Sequence, residues 1–240
     1  HSFRVPRPDL SLKYDTPNAC TQCHNDKDNE WAWEQFKNYY GQPDYKHFSE
    51  LLAPGLTRKP NALEGLLELA TDTIYPEIAR ASAIKTMSNY LDTTSIDKMI
   101  SFLNDDSPLV RAVSLDVLGE INSQDYINYA LPLLQDEKRS VRVKAFFVLA
   151  SLDEIQIPEA YKAAYKKVKK EFDTNLNVTA DFVGGRIKKA DYALKKTDLK
   201  TAIKGYESAL EIDYINNIVR TNLANLYYQD GDFIKAENAF

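Results

Sequence analysis

The chain of 240 residues is long enough to bury a core of its own, carries a formal net charge of -5, and is 44% hydrophobic with only 8 glycines. The acidic balance argues against nucleic acid as an obligate partner, because phosphate binding needs a positive footprint. No apolar run approaches the length of a membrane span. Few glycines beside abundant Ala, Leu, Lys and Glu predict an all-α fold.

The chain opens on His1, with no charged n-region or apolar h-region, so any secretion signal is expected upstream of it. Pro6 and Pro8 disfavour the α region at the residues before them, and residues 1–18 therefore read as an extended arm. Next comes Cys20-Thr21-Gln22-Cys23-His24, the C-x-x-C-H spacing of covalent haem c attachment. Two thiols three apart reach the two vinyl groups on one edge of a porphyrin, and the adjacent imidazole swings under the ring as a proximal iron ligand. The chain has two Cys and three His in all, so this alignment arises by chance on the order of once in ten thousand shuffles. The plainer alternative is a C-x-x-C disulfide or dithiol, but no βαβ pattern surrounds it. A structural zinc site needs four closed ligands, and beyond this motif only His1 and His47 remain as His or Cys donors.

Asp28 is placed to cap a helix from about Asn29 to Tyr40, with Gly41 as its C-terminal stop. Trp31, Phe36, Tyr39 and Tyr40 form an aromatic face that reads either as the wall of a flat cofactor or as ordinary core. A second short helix, about Asp44 to Ala53, carries His47. His1 reads as a distal haem ligand or as a solvated chain end. His47 reads as a distal ligand or as an ordinary surface histidine. Met87 and Met99 are ligand types too, but sit far away in repeat helices.

From about residue 58 internal repetition takes over. Ala79-Arg80-Ala81, Val110-Arg111-Ala112 and Val141-Arg142-Val143 recur with Arg80, Arg111 and Arg142 spaced by 31 residues. A fixed period with helical patterning means stacked helix pairs. The predicted first helices lie near Asn61 to Ala70, Ser95 to Phe102 and Gln124 to Leu134. Asp105-Asp106-Ser107-Pro108 supplies an acidic turn, a cap and a proline at the first helical position. The pattern resembles HEAT-type repeats, whose arginine pairs with the acidic turn of a neighbour.

After Pro158 a lysine-rich helix, Glu159 to Phe172, reads as a solvated face. Asp198 to Tyr206 then matches Asp232 to Phe240 at an offset of 34 residues, and this stretch resembles tetratricopeptide (TPR) repeats. Small residues (Ala190, Ala202, Ala224, Ala236) stand where paired helices cross, and Tyr206 and Phe240 act as wedges. Thr197 stands where the second copy has Gly231, and Phe240 falls inside a second helix, so the native chain is expected to continue.

His1 to Arg7 followed by Pro17 to Lys27 and Trp31-Ala32, joined to two repeat types, resembles the last haem-binding segment of bacterial multihaem c-type cytochromes fused to helical repeats. The resemblance implies three parts: a haem c-binding segment with short helices at 1–57, HEAT-like repeats at 58–156 and TPR repeats at 157–240. It also implies a periplasmic or otherwise extracytoplasmic protein with further haems upstream. Its function would be electron transfer to a redox partner or to an upstream haem domain of the same chain, with a protein or peptide bound on the repeat surface. In that family histidines fill both axial positions, which makes His1 a ligand to this haem or to a neighbouring one. The fold expected is an α-solenoid preceded by an irregular haem-binding segment. No paired-carboxylate motif, nucleophile elbow or phosphate loop appears, so the expectation is an electron carrier more than an enzyme. The alternative is a non-catalytic scaffold with an incidental motif. Protein made without attachment machinery would carry the repeats with Cys20 and Cys23 bare.

Overall fold

In the computed structural model, which describes residues 6–90, 93–121 and 126–239, the described residues form fifteen α-helices, short 3-10 turns and no strand. The fold is an all-α assembly of stacked helix pairs. The chain divides into two compact units, His1–Ser95 and Ile96–Phe240.

The first unit begins with α1 (Pro8–Tyr14), where an extended arm is expected. The correction has a local cause. Pro8 takes the first helical position, where its missing N–H is not needed and its fixed φ already suits a helix. Leu10 and Ser11 are then buried, and α1 packs on α3 (Asn29–Tyr40). That helix has the expected bounds: Trp31 N–H donates to Asp28 Oδ1 at 2.8 Å, and Gly41 at φ 75° ends it. Between them lies α2 (Ala19–Cys23).

Helix α4 (Phe48–Leu56) starts later than expected, because His47 is its cap and not one of its helical residues. The His47 Nδ1 accepts from Ser49 N–H at 3.2 Å, and Glu50 accepts from His47 N–H at 3.2 Å, which closes a capping box. Helices α5 (Ala62–Thr71) and α6 (Glu77–Met87) complete the unit around Leu66, Leu69, Ile84 and Met87, all fully buried. Gly55 marks the closest approach: a Cβ there would stand 2.8 Å from Thr86 Cγ2 and 2.9 Å from Leu66 Cδ1. The buried Arg80 donates from Nε to Ala70 O at 3.0 Å, satisfying a carbonyl near the C-terminal end of α5.

In the second unit α7 (Thr93–Ser101), within which the units divide, is followed by α8 (Pro108–Glu120), with Ser107 as cap and Pro108 at the first position. The next helix, expected from Gln124, which lies outside the described residues, to Leu134, is α9 (Ile127–Ala130) among the described residues. Pro132 cannot continue the hydrogen-bond ladder, and a 3-10 turn, Pro132–Gln135, takes over. Helix α10 (Arg139–Val148) and the long α11 (Glu159–Val178) follow. The repeat arginine works as expected. Arg111 Nε and Nη2 bond both oxygens of Asp136, in the next acidic turn, at 2.8 and 2.9 Å, while Nη1 reaches the carbonyls of Asp105 and Asp106. Arg142 repeats the device one step on, with Glu171 of α11 as the carboxylate and the carbonyls of Asp136 and Glu137 beneath it.

Helices α12 (Val183–Lys195), α13 (Leu199–Ile212), α14 (Asn217–Asp230) and α15 (Phe233–Ala239) form two hairpins. Ala190, Ala202, Ala224 and Ala236 are buried, as their small size at crossing points predicts. Gly205 takes this furthest, since a Cβ there would lie 2.8 Å from Ala190 Cβ. Tyr206 is buried with its hydroxyl donating to Asp191, and Tyr227 donates to Glu207 at 2.6 Å. The two turns share one geometry. Thr197 at φ 58° and Gly231 at φ 85° each let the next residue's N–H reach back to the helix, Asp198 to Ala193 O and Asp232 to Tyr227 O, both at 2.9 Å. Phe240 lies outside the described residues.

A candidate cofactor cleft at the CxxCH segment

Helix α2 is a single turn long and owes its existence to Asn18. The buried Asn18 side chain accepts from the N–H groups of Cys20 and Thr21 at 3.0 and 3.1 Å, and its amide donates to Asn29 Oδ1 at 2.7 Å. One residue thus caps α2 and ties it to the start of α3. The turn closes at His24, whose N–H donates to Cys20 O at 2.9 Å. Both cysteines are free thiols, Cys20 half-buried and Cys23 exposed. The exposed His24 ring leans on Trp31 of α3, with centroids 4.8 Å apart and planes at 57°.

Cys20, Cys23 and His24 line one cleft of about 350 Å³, walled on the α3 side by Trp31, Phe36, Tyr39 and Tyr40. Among the described residues no Asp, Glu, Lys or Arg side chain lines it. The aromatic face has therefore divided. Phe36 is core, packed in the unit beside Ala32, whereas Tyr39 and Tyr40 are 80% and 74% exposed at the cleft's open side. An apolar, ring-lined recess with two thiols and an imidazole on the same wall suits a flat organic ring better than a hydrated ion. Among the described residues no three His, Cys, Asp or Glu side chains converge as a metal-holding group.

The other described ligand candidates lie elsewhere. His47 does not line this cleft and is engaged as the cap of α4, its ring 4.2 Å from that of Phe48. Met87 and Met99 are fully buried in helix cores. His1 lies outside the described residues. Asn18 is the residue that sequence reading passed over, although an Asn directly before a short helical turn is itself a capping signal.

Near this segment two ion pairs hold α1. The Arg7 guanidinium bonds Asp9 at 2.8 and 2.7 Å and keeps its carboxyl below the usual range. Lys13 reaches Glu50 of α4 at 2.7 Å and does the same there.

Residues 96–169 match the family model of HEAT repeats. The matched stretch holds the Arg111 to Asp136 ladder whole and Arg142 of the next, whose partner Glu171 lies just beyond it, so the repeat character read from spacing and the buried geometry coincide there. No curated protein and no solved structure matches the chain. Helical repeats of this kind form extended surfaces for protein interaction. Among the described residues no helix is long and apolar enough to cross a membrane.

Proposed function

We propose that the protein is an electron-transfer module of a multihaem c-type cytochrome, held on a helical-repeat platform that binds other proteins, in an extracytoplasmic compartment. The observation that carries this reading is the shared cleft: two free thiols and an imidazole on one aromatic wall. Cys20 and Cys23 would hold haem c by adding S–H across its two vinyl double bonds, so that each proton ends on carbon and nothing is oxidised. His24 would be the proximal ligand, its ring steadied by Trp31. When bound, haem supplies one-electron transfer. Asn18 fixes the turn that sets the spacing of the thiols, and Phe36 and Trp31 keep water from one side of the recess. His1 would be the distal ligand or serve a neighbouring haem. His47 would have to abandon the α4 cap to serve instead. The two tetratricopeptide-like hairpins at α12 to α15 extend the platform.

The test is expression with a haem-attachment system, followed by the reduced absorption spectrum and intact mass. The expected result is one covalent haem, lost in Cys20→Ala/Cys23→Ala. No covalent band and no mass increase, from cells that mature a control cytochrome, would overturn the haem reading. The scaffold reading would then stand alone, since each unit buries its own core without a cofactor.

A further inference from the structure

Within the second unit, successive helices α8, α10 and α12 line a groove made of two adjoining clefts. One, of about 360 Å³, has Arg139, Lys144 and Lys188 at its rim, Val143 and Phe147 on its floor, and no carboxylate among its lining residues. The other, of about 470 Å³, shares Lys144, Phe147 and Lys188 with the first and continues to Lys195 and to the carboxylates Asp116, Glu120 and Asp191, so the acidic residue of an occupant belongs in the first cleft. Two aromatic faces sit under the cations: Lys188 Nζ is 5.2 Å from the Phe172 ring centroid and Lys195 Nζ 5.2 Å from that of Phe147.

The cations differ in how far they are already satisfied. Lys144 is paired with Asp116 at 2.7 Å, and Arg139 donates to Glu171 O at 2.9 Å. Lys188 is half-buried and has only a neutral oxygen, Asn175 Oδ1, at 3.0 Å. Burial and the nearby Lys144 ammonium pull the Lys188 ammonium below the usual lysine range, and burial pulls Lys195 the same way. In a chain of net charge -5 the first cleft is a local excess of positive charge around an apolar floor, while the Asp116 carboxylate at the edge of the second partly offsets the pull on Lys188 and Lys195. A buried cation gains when an anion arrives to replace lost water, and the floor gains when an apolar group covers Phe147.

We propose that this groove docks an extended peptide segment of a partner protein, seating a Glu or Asp carboxylate between Lys144 and Lys188 and an apolar side chain on Phe147. The linked clefts favour a peptide over a lone anion, because a free phosphate would use the rim and leave the floor uncovered. The three rim cations are too few and too local to track a polyanionic backbone. The proposal rests on the platform part of the function above and is independent of the haem part, so a bare Cys20/Cys23 protein tests it equally well.

The probe is a synthetic heptapeptide alternating Glu and Leu, titrated calorimetrically into the full chain beside the same peptide with Gln for Glu. In parallel, Lys188 acylation by an N-hydroxysuccinimide ester is followed by peptide mass spectrometry. Lys188 should acylate faster than the exposed Lys189 and be protected by the Glu peptide only. Lys188→Gln should weaken that peptide by about tenfold, and Lys167→Gln on α11 should leave it unchanged. Should Lys188→Gln lose its helical circular dichroism, Lys144→Gln and the protection of the native chain decide instead. Equal affinity for the Gln peptide, equal protection by inorganic phosphate, tighter binding of a single-stranded oligonucleotide, or no effect of the lysine variants would each overturn the proposal. These outcomes leave the haem reading intact, just as failure to attach haem leaves the groove intact.

Discussion

The Arg111 to Asp136 contact is the sharpest place to test how the repeats hold together. The two side chains are only 10% and 6% exposed, bonded through both carboxylate oxygens, and the same guanidinium satisfies the carbonyls of Asp105 and Asp106. Replacing Arg111 with Met leaves a buried carboxylate whose remaining donor is the Lys138 N–H at 2.8 Å, and it strips two turn carbonyls of their donor. Breaking such a pair from one side costs about 3 to 5 kcal/mol, and the expected loss is at least 3. Arg111→Met/Asp136→Leu removes the stranded charge and should recover about 2 kcal/mol of that, the bonds from Arg111 to the turn carbonyls staying lost. Arg142→Met should cost less, about 2 kcal/mol, because its pair with Glu171 is 16% and 19% exposed. The chain has two units and a single unfolding midpoint would mix them, so the measurement is native-state hydrogen exchange at the amides of α8 and α10. A loss under 1 kcal/mol for Arg111→Met, or a double variant as unstable as the sum of its single variants, would refute the account.

Three further outcomes are expected. Thr197→Gly should stabilise the α12 to α13 hairpin by about 1 kcal/mol, since a β-branched residue there pays for a left-handed conformation that Gly231 adopts freely in the second copy; native-state hydrogen exchange at the amides of α12 and α13 reads this. Asn18→Ala should cost about 1 kcal/mol locally, speeding amide exchange at Cys20 and Thr21 and lowering the yield of covalent haem. Asp9 and Glu50 have carboxyls held low by Arg7 and Lys13, so the stability they lend is present above their unfolded pKa, roughly 4, and is lost as pH falls through their folded values. Exchange protection of Leu10 should therefore fall only below about pH 4, and only modestly, because Lys13 is largely exposed. A loss centred near neutrality would contradict this.

Much of the fold was legible because its signals are local and periodic. The Arg80, Arg111 and Arg142 spacing, the Asp28 and Ser107 caps and the small residues at Ala190 and Ala202 each depend on neighbours a fixed number of residues away. The misreadings came where one residue has two uses. Pro8 disfavours the helical region before it yet starts a helix well, and only the docking of Leu10 on α3 decided between them. His47 is both a ligand type and a capping acceptor, and the Glu50 at its third following position settled the second. Lys188 carries no mark in the sequence that sets it apart from the lysines of α11. Those of α11 at 162, 166 and 169 are partly exposed and paired with Glu159, Glu154 and Asp173, whereas Lys188 donates to a neutral amide oxygen, Asn175 Oδ1 of α11.

The sequence by itself determined the all-α class, the repeat periods and the spacing of Cys20, Cys23 and His24, because each is set by covalent distance along a helix. Only the tertiary structure decided that these three share one aromatic recess with Trp31, that His47 is spent on a cap, and that three cations crowd a single groove beside Phe147. Which side chains meet across helices depends on how the ridges of each pair settle into the next, and no spacing within one helix encodes that.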